Sequence, residues 1–134
     1  DDAIAGYLVQ EMATSGVEVF VGVKNDPTYG LTLLLGPGGL FVETMRDIAV
    51  GLLPTTAADV ERLIARTALD RLFAGVRGRK PVHRPAVIDA VFALSRFAVE
   101  HRDSLMDLDI NPLIADDTRA VAVDALIVRY PTAG

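Results

Sequence analysis

Between Val17 and Lys24 the chain alternates strictly. Val17, Val19, Val21 and Val23 occupy every second position, with Glu18, Phe20, Gly22 and Lys24 between them. A period of two predicts a strand with the valines on one face and the intervening residues on the other. Glu18 therefore points away from the valine face. Upstream, residues 6–12 (GYLVQEM) read as a strand, ended by a turn at Thr14-Ser15-Gly16. Downstream, Asn25-Asp26-Pro27 reads as a turn and residues 31–35 as a third strand, stopped by Gly36-Pro37-Gly38-Gly39. A fourth strand is expected over residues 40–43, with an extension past Arg46 toward Val50.

The period changes at Pro54-Thr55-Thr56. Thr56 and Asp59 have capping-box spacing, with Asp in the usual Glu position, and Val60, Leu63, Ile64 and Leu72 recur on a helical face before Gly75 and Gly78 end it. Pro85 suits the first turn of a second helix that buries Val87, Ile88, Val91, Leu94, Ser95 and Ala98. His101 and Arg102 complement the dipole at its end. Residues 108–114 and 121–128 read as a final hairpin joined by Ala115-Asp116-Asp117-Thr118. The order predicts an α+β domain, a largely antiparallel sheet with two main helices packed on it.

Length and composition narrow the classes. A chain of 134 residues is one domain by expectation, large enough to bury roughly two thirds of its unfolded surface. The absence of cysteine excludes disulfides and thiolate metal sites. No apolar run reaches the roughly 20 residues of a membrane helix, and Asp1-Asp2 has the wrong sign for a signal peptide. The expectation is a cytoplasmic protein with no membrane partner. Net charge is −5 and the largest basic cluster is Arg77, Arg79, Lys80 and Arg84, which argues against nucleic acid.

Candidate chemistry concentrates in the hairpin. Asp107, Asp109 and Asn111 alternate with Leu108 and Ile110, so the polar residues share a face. If Asp117-Thr118 form a two-residue turn, Asn111 pairs with Asp124. One amide oxygen and one or two carboxylates make a hard-oxygen set of the kind that holds magnesium, with water and phosphate completing it. The competing explanation is a solvated hairpin face, although Asp124 stands between Val123 and Ala125 in an apolar run. Gly36-Pro37-Gly38-Gly39 reads as either a hairpin turn or a phosphate-binding loop, and lacks the Lys-Ser/Thr ending of a P-loop. Arg77 is either an anion contact or a solvated loop residue. His83 and His101 have no Ser or Cys nearby to form a nucleophile pair.

The ordered strings Leu8-Val9-Gln10-Glu11-Met12, Val17-Glu18-Val19-Phe20-Val21-Gly22-Val23-Lys24-Asn25-Asp26-Pro27, Gly36-Pro37-Gly38-Gly39, Gly75-Val76-Arg77-Gly78 and Asp109-Ile110-Asn111-Pro112-Leu113 resemble the nucleoside-diphosphate-forming acyl-CoA synthetases. The resemblance is to the C-terminal part of their ATP-grasp domain, related to the β subunit of succinyl-CoA synthetase, and spans residues 6–128. It implies that Gln10, with backbone groups of Glu11 and Met12, meets the adenine and that Glu18 lies beside the nucleotide. Asn111 and Asp124 match magnesium ligands. Asp109 matches an acidic residue, Glu in succinyl-CoA synthetase, that meets the histidine being phosphorylated.

The implied reaction joins an acid and CoA at the expense of ATP through acyl-phosphate and phosphohistidine intermediates, with Mg²⁺ and ATP or ADP bound here. ATP-grasp sites lie between two lobes. Because the chain begins just before the expected hinge strand, it reads as an excised subdomain, inactive by itself. Its implied partners are an upstream ATP-grasp lobe and CoA-binding and phosphohistidine domains, since neither histidine of this chain matches the phosphorylated one. The alternative is a non-catalytic regulatory domain of the synthetase-like kind found in some protein lysine acetyltransferases. The acyl substrate, ATP against GTP, and assembly, including a homo-oligomer, stay open.

Overall fold

The valine row forms the buried side of a central strand. The computed structural model describes residues 3–39 and 47–131. Within them, β1 (Val17–Asp26), β2 (Gly30–Pro37) and β3 (Ala49–Leu52) precede α1 (Ala57–Ala65), α2 (Leu69–Phe73) and α3 (Arg84–Glu100); β4 (Leu105–Ala115), β5 (Ala120–Ala122) and β6 (Ala125–Arg129) follow. The strands make one sheet in the order β3-β2-β1-β4-β5, and β6 also pairs with β4. All its pairings are antiparallel.

Val19, Val21 and Val23 are buried beside Leu33 and Leu35 of β2 and Leu108 and Leu113 of β4. Val60, Leu63 and Ile64 of α1, Leu69 and Phe73 of α2, and Val87, Val91, Leu94 and Ala98 of α3 complete the same core. The other sheet face stays open, with Val50, Leu52 and Leu126 more than half exposed. The expected capping box forms: Thr56 Oγ1 accepts from the Asp59 amide at 3.2 Å and the Thr56 amide donates to Asp59 Oδ2 at 2.9 Å. Arg84 ties the helices together through Glu61 at 2.9 Å and Asp70 at 2.7 Å, with its guanidinium over Phe73. Such partly exposed pairs contribute about 0–1 kcal/mol each, so burial dominates.

The structure corrects several expectations. Residues 6–12 form no strand; Tyr7, Leu8, Val9 and Met12 are each more than 80% exposed. A strand needs a neighbour whose backbone pairs with its N–H donors and C=O acceptors, and among the described residues none pairs with this segment. The face that included Leu72 is divided between α1 and α2. Thr67 Oγ1 donates to Ile64 C=O and accepts from the Leu69 amide, while Asp47 Oδ2 accepts from the Ala68 amide, so the side chains replace helical bonds at the break. Residues 40–46 lie outside the described residues; the strand expected to extend toward Val50 is seen as β3, paired with β2. The last expected strand is interrupted at Val123-Asp124, giving β5 and β6.

The turn between β4 and β5 is held by one carboxylate. Asp116 Oδ1 accepts from the Thr118 and Arg119 amides, each at 2.8 Å, and from Thr118 Oγ1 at 2.7 Å; Oδ2 accepts from Thr14 Oγ1. These donors, the Arg119 amide foremost, hold the Asp116 carboxyl well below the usual range. A depressed folded-state pKa contributes stability above the unfolded value of about 3.9, which is lost as pH falls through the lower folded value. Asp116→Ala should therefore melt below the wild type at neutral pH, with the gap narrowing as pH drops below about 4. Thermal midpoints from neutral to strongly acidic pH measure this, and a pH-independent gap would contradict it.

Candidate functional site

The turn sets the hairpin register, and the register builds the site. Ala115 pairs with Ala120, Ile114 with Val121 and Leu113 with Ala122. Continuing the count, the Asn111 amide donates to the Asp124 carbonyl at 3.2 Å, and the Val123 amide to the Pro112 carbonyl at 3.0 Å. Asn111 thus faces Asp124, as the two-residue turn predicts. On the other side of β4, Val19 pairs with Leu113 but Val21 with Ile110. An extra residue at Asn111-Pro112 therefore opposes Phe20, a bulge of the kind that redirects side chains beside functional sites.

The result is a cleft of ≈ 230 Å³ lined by Phe20, Asp109, Asn111, Asp124, Ala125 and Leu126. Asp109 pairs with Gly22 of β1 and Leu126 of β6. Partial burial, and then the negative charge of Asp107, push the Asp109 carboxyl above its usual value, while Lys24 opposes the shift. Asp124 Oδ1 accepts from the Ala125 amide at 2.9 Å. Asn111 Oδ1 accepts from the Gly39 amide at 2.9 Å. Gly39 has φ +77° and lies directly under the Glu18 carboxylate, so a Cβ there would strike Glu18. Glu18 thereby stands next to the residue that holds Asn111.

In the described part of the glycine-rich segment, residues 36–39, two backbone amides are engaged within the chain. The Gly38 amide donates to the Glu18 carbonyl at 2.8 Å and the Gly39 amide to Asn111. These donors support the cleft wall instead of presenting a phosphate nest. Among the described residues, no three His, Cys, Asp or Glu side chains form a metal cluster. The oxygen donors that do meet are one amide and two carboxylates, an incomplete shell suited to a hard cation that keeps water or phosphate ligands.

Other predicted positions lie apart. Gln10, Glu11 and Met12 are in the exposed N-terminal segment, with Glu11 3.6 Å from Arg119 near the hairpin turn. A second cleft of ≈ 230 Å³, lined in part by Gly16, Arg79, Lys80, Asp116 and Asp117, is at that end; it contains the Lys80–Asp117 ion pair and none of the predicted site residues. Arg77 is exposed at φ 56° between Gly75 and Gly78. His101 Nδ1–H donates to the Phe97 carbonyl at 2.9 Å and the ring stacks on Phe97, which accounts for it structurally. The His83 amide donates to Asp116 C=O ahead of α3. Sequence reasoning missed Phe20, Ala125 and Leu126 as cleft walls and Gly39 as a support. Phe20 carried a usable signal, because it shares Glu18's side of the alternation.

A family model described as an ATP-grasp domain matches residues 1–128. The β subunit of acetate–CoA ligase [ADP-forming] II of Pyrococcus furiosus is 32% identical over 130 residues, covering 96% of this chain and 55% of that relative. The isoenzyme I β subunit from the same organism is 34% identical over 128 residues with the same coverage of each chain. Among solved structures, a dinucleotide-forming acetyl-coenzyme A synthetase 1 of Ca. Korarchaeum cryptofilum superimposes with TM-score 0.85 and 36% identity, over 90% of this chain and 56% of that one. That structure is a complex with coenzyme A and Mg-AMPPCP, its phosphohistidine segment pointing towards the nucleotide binding site. The chain spans about half the length of these relatives.

The support given by Gly39 is measurable. Gly39→Ala would place a β-carbon in the left-handed region and against Glu18, so urea unfolding should report a loss of about 1–2 kcal/mol or more. A variant as stable as the wild type would contradict the geometry.

Proposed function

The chain belongs to the ATP-grasp domain family, and from that premise we propose that it is the magnesium-nucleotide-handling part of a larger ADP-forming acyl-CoA synthetase. The observation that carries the proposal is the convergence of Asp109, Asn111 and Asp124 on one cleft of the open sheet face. Asn111 Oδ1 and the Asp124 carboxylate would hold Mg²⁺, whose charge would offset that of the nucleotide phosphates. Phosphoryl transfer depends chiefly on such positioning and charge neutralisation. Glu18 flanks the nucleotide from the Gly39 side. Asp109 faces the histidine that carries the phosphoryl group between sites, and that histidine belongs to another domain.

The exposed apolar side chains of Tyr7, Leu8, Val9 and Met12 suit a segment that another lobe covers. There Gln10, with the backbone of Glu11 and Met12, would border the adenine. The partners are accordingly the nucleotide, the preceding ATP-grasp lobe and the CoA-binding and phosphohistidine domains of the complete enzyme. No described helix is long and apolar enough to cross a membrane; the cytoplasm is the proposed place of the reaction.

In the complete synthetase, Asn111→Ala and Asp124→Ala should each lower magnesium-dependent ADP affinity about tenfold or more, with little change in metal-free binding. Calorimetric titration with and without magnesium reads this directly, and magnesium dependence that survives both substitutions removes the assignment. The 134-residue chain alone, given acid, CoA, ATP and magnesium, should form no acyl-CoA; turnover would show that it is not merely one part of the enzyme.

A further inference from the structure

We propose that Gly22 is a positioning residue for Asp109, its missing side chain providing the space in which the Asp109 carboxylate is seated over β1; the inference rests on the proposed function of that carboxylate. Gly22 is in the middle of a strand paired on both sides, opposite Leu34 and Asp109. Glycine at such a place weakens a strand and marks a close approach. Its backbone does not require glycine: the positive-φ glycines are Gly30, Gly39, Gly75 and Gly78. What requires it is space. A Cβ on Gly22 would lie 2.7 Å from Asp109 Oδ1 and 2.9 Å from Phe20 Cζ, both well inside contact distance.

The Phe20 ring and the β1 backbone therefore form a seat that fixes how far the carboxylate projects into the cleft. A methyl group at position 22 drives the carboxylate outward from this seat, away from the partly desolvated position it occupies beside Asp107. Asn111 and Asp124 are held by other contacts, to the Gly39 and Ala125 amides. The metal and nucleotide subsite should thus tolerate the change, whereas the group facing the phosphoryl acceptor should not.

The test compares Gly22→Ala, Asp109→Ala and the double variant in the complete synthetase. Misplacement by about 1 Å costs on the order of a hundredfold in rate, so Gly22→Ala should lower kcat by about that factor. The KM for magnesium-nucleotide should stay within about twofold, the signature of an interaction made in the transfer step. In the Asp109→Ala background the same substitution should cost nothing further, because the group it displaces is gone. A full additional loss in that background overturns the proposal, as does unchanged kcat in Gly22→Ala when Asp109→Ala is impaired. If Asp109→Ala itself leaves kcat unaltered, the functional reading of Asp109 fails instead, and a crystal structure of Gly22→Ala still decides whether the carboxylate is displaced. Should Gly22→Ala fold poorly, the double variant should recover the part of the thermal stability lost against Asp109, the clash with Phe20 remaining; no recovery at all also overturns the proposal.

Discussion

The pairing of β1 with β4 governs the rest of the molecule. β1 has neighbours on both edges and carries the valines of the core on one side. In a strand a one-residue slip exchanges the two faces. β4 makes that slip locally, through the extra residue at Asn111-Pro112, so that Leu108 and Leu113 both reach the core although five positions apart in sequence. The bulge lets one strand serve the core at both ends and present Asp109 and Asn111 to the open cleft between them.

The electrostatics of that cleft follow from its construction. Asp109 is partly desolvated beside Asp107, and Asp124 approaches from across the hairpin. Concentrating carboxylates in this way is unfavourable without a cation, and Lys24 only partly offsets it. The neutral amide of Asn111 supplies a further oxygen donor without further negative charge. Backbone amides of Gly39 and Ala125 hold Asn111 and Asp124 in place through contacts within the chain itself.

Features whose cause is local were legible in the sequence. The alternation of Val17 to Val23 identified β1, Thr56 and Asp59 formed their capping box, and the count from the Asp117-Thr118 turn placed Asn111 opposite Asp124. Features caused by distant partners were not. Residues 6–12 have the composition of a strand but, among the described residues, no strand paired with them. The break at Thr67 depends on Asp47, and the role of Gly39 on a side chain 72 positions away. Gly22 belonged to a visible outward-facing row, yet the crowding that a Cβ there would meet from Asp109 Oδ1 and Phe20 Cζ is seen only in the folded chain.

The metal assignment is decided by a crystal structure of the complete protein, the proposed synthetase, with magnesium and a non-hydrolysable ATP analogue. Asn111 Oδ1 and an Asp124 carboxylate oxygen should coordinate the ion at about 2.0–2.1 Å, with phosphate and water oxygens filling its octahedron. An ion bound on the phosphates but coordinated by neither residue would contradict the account.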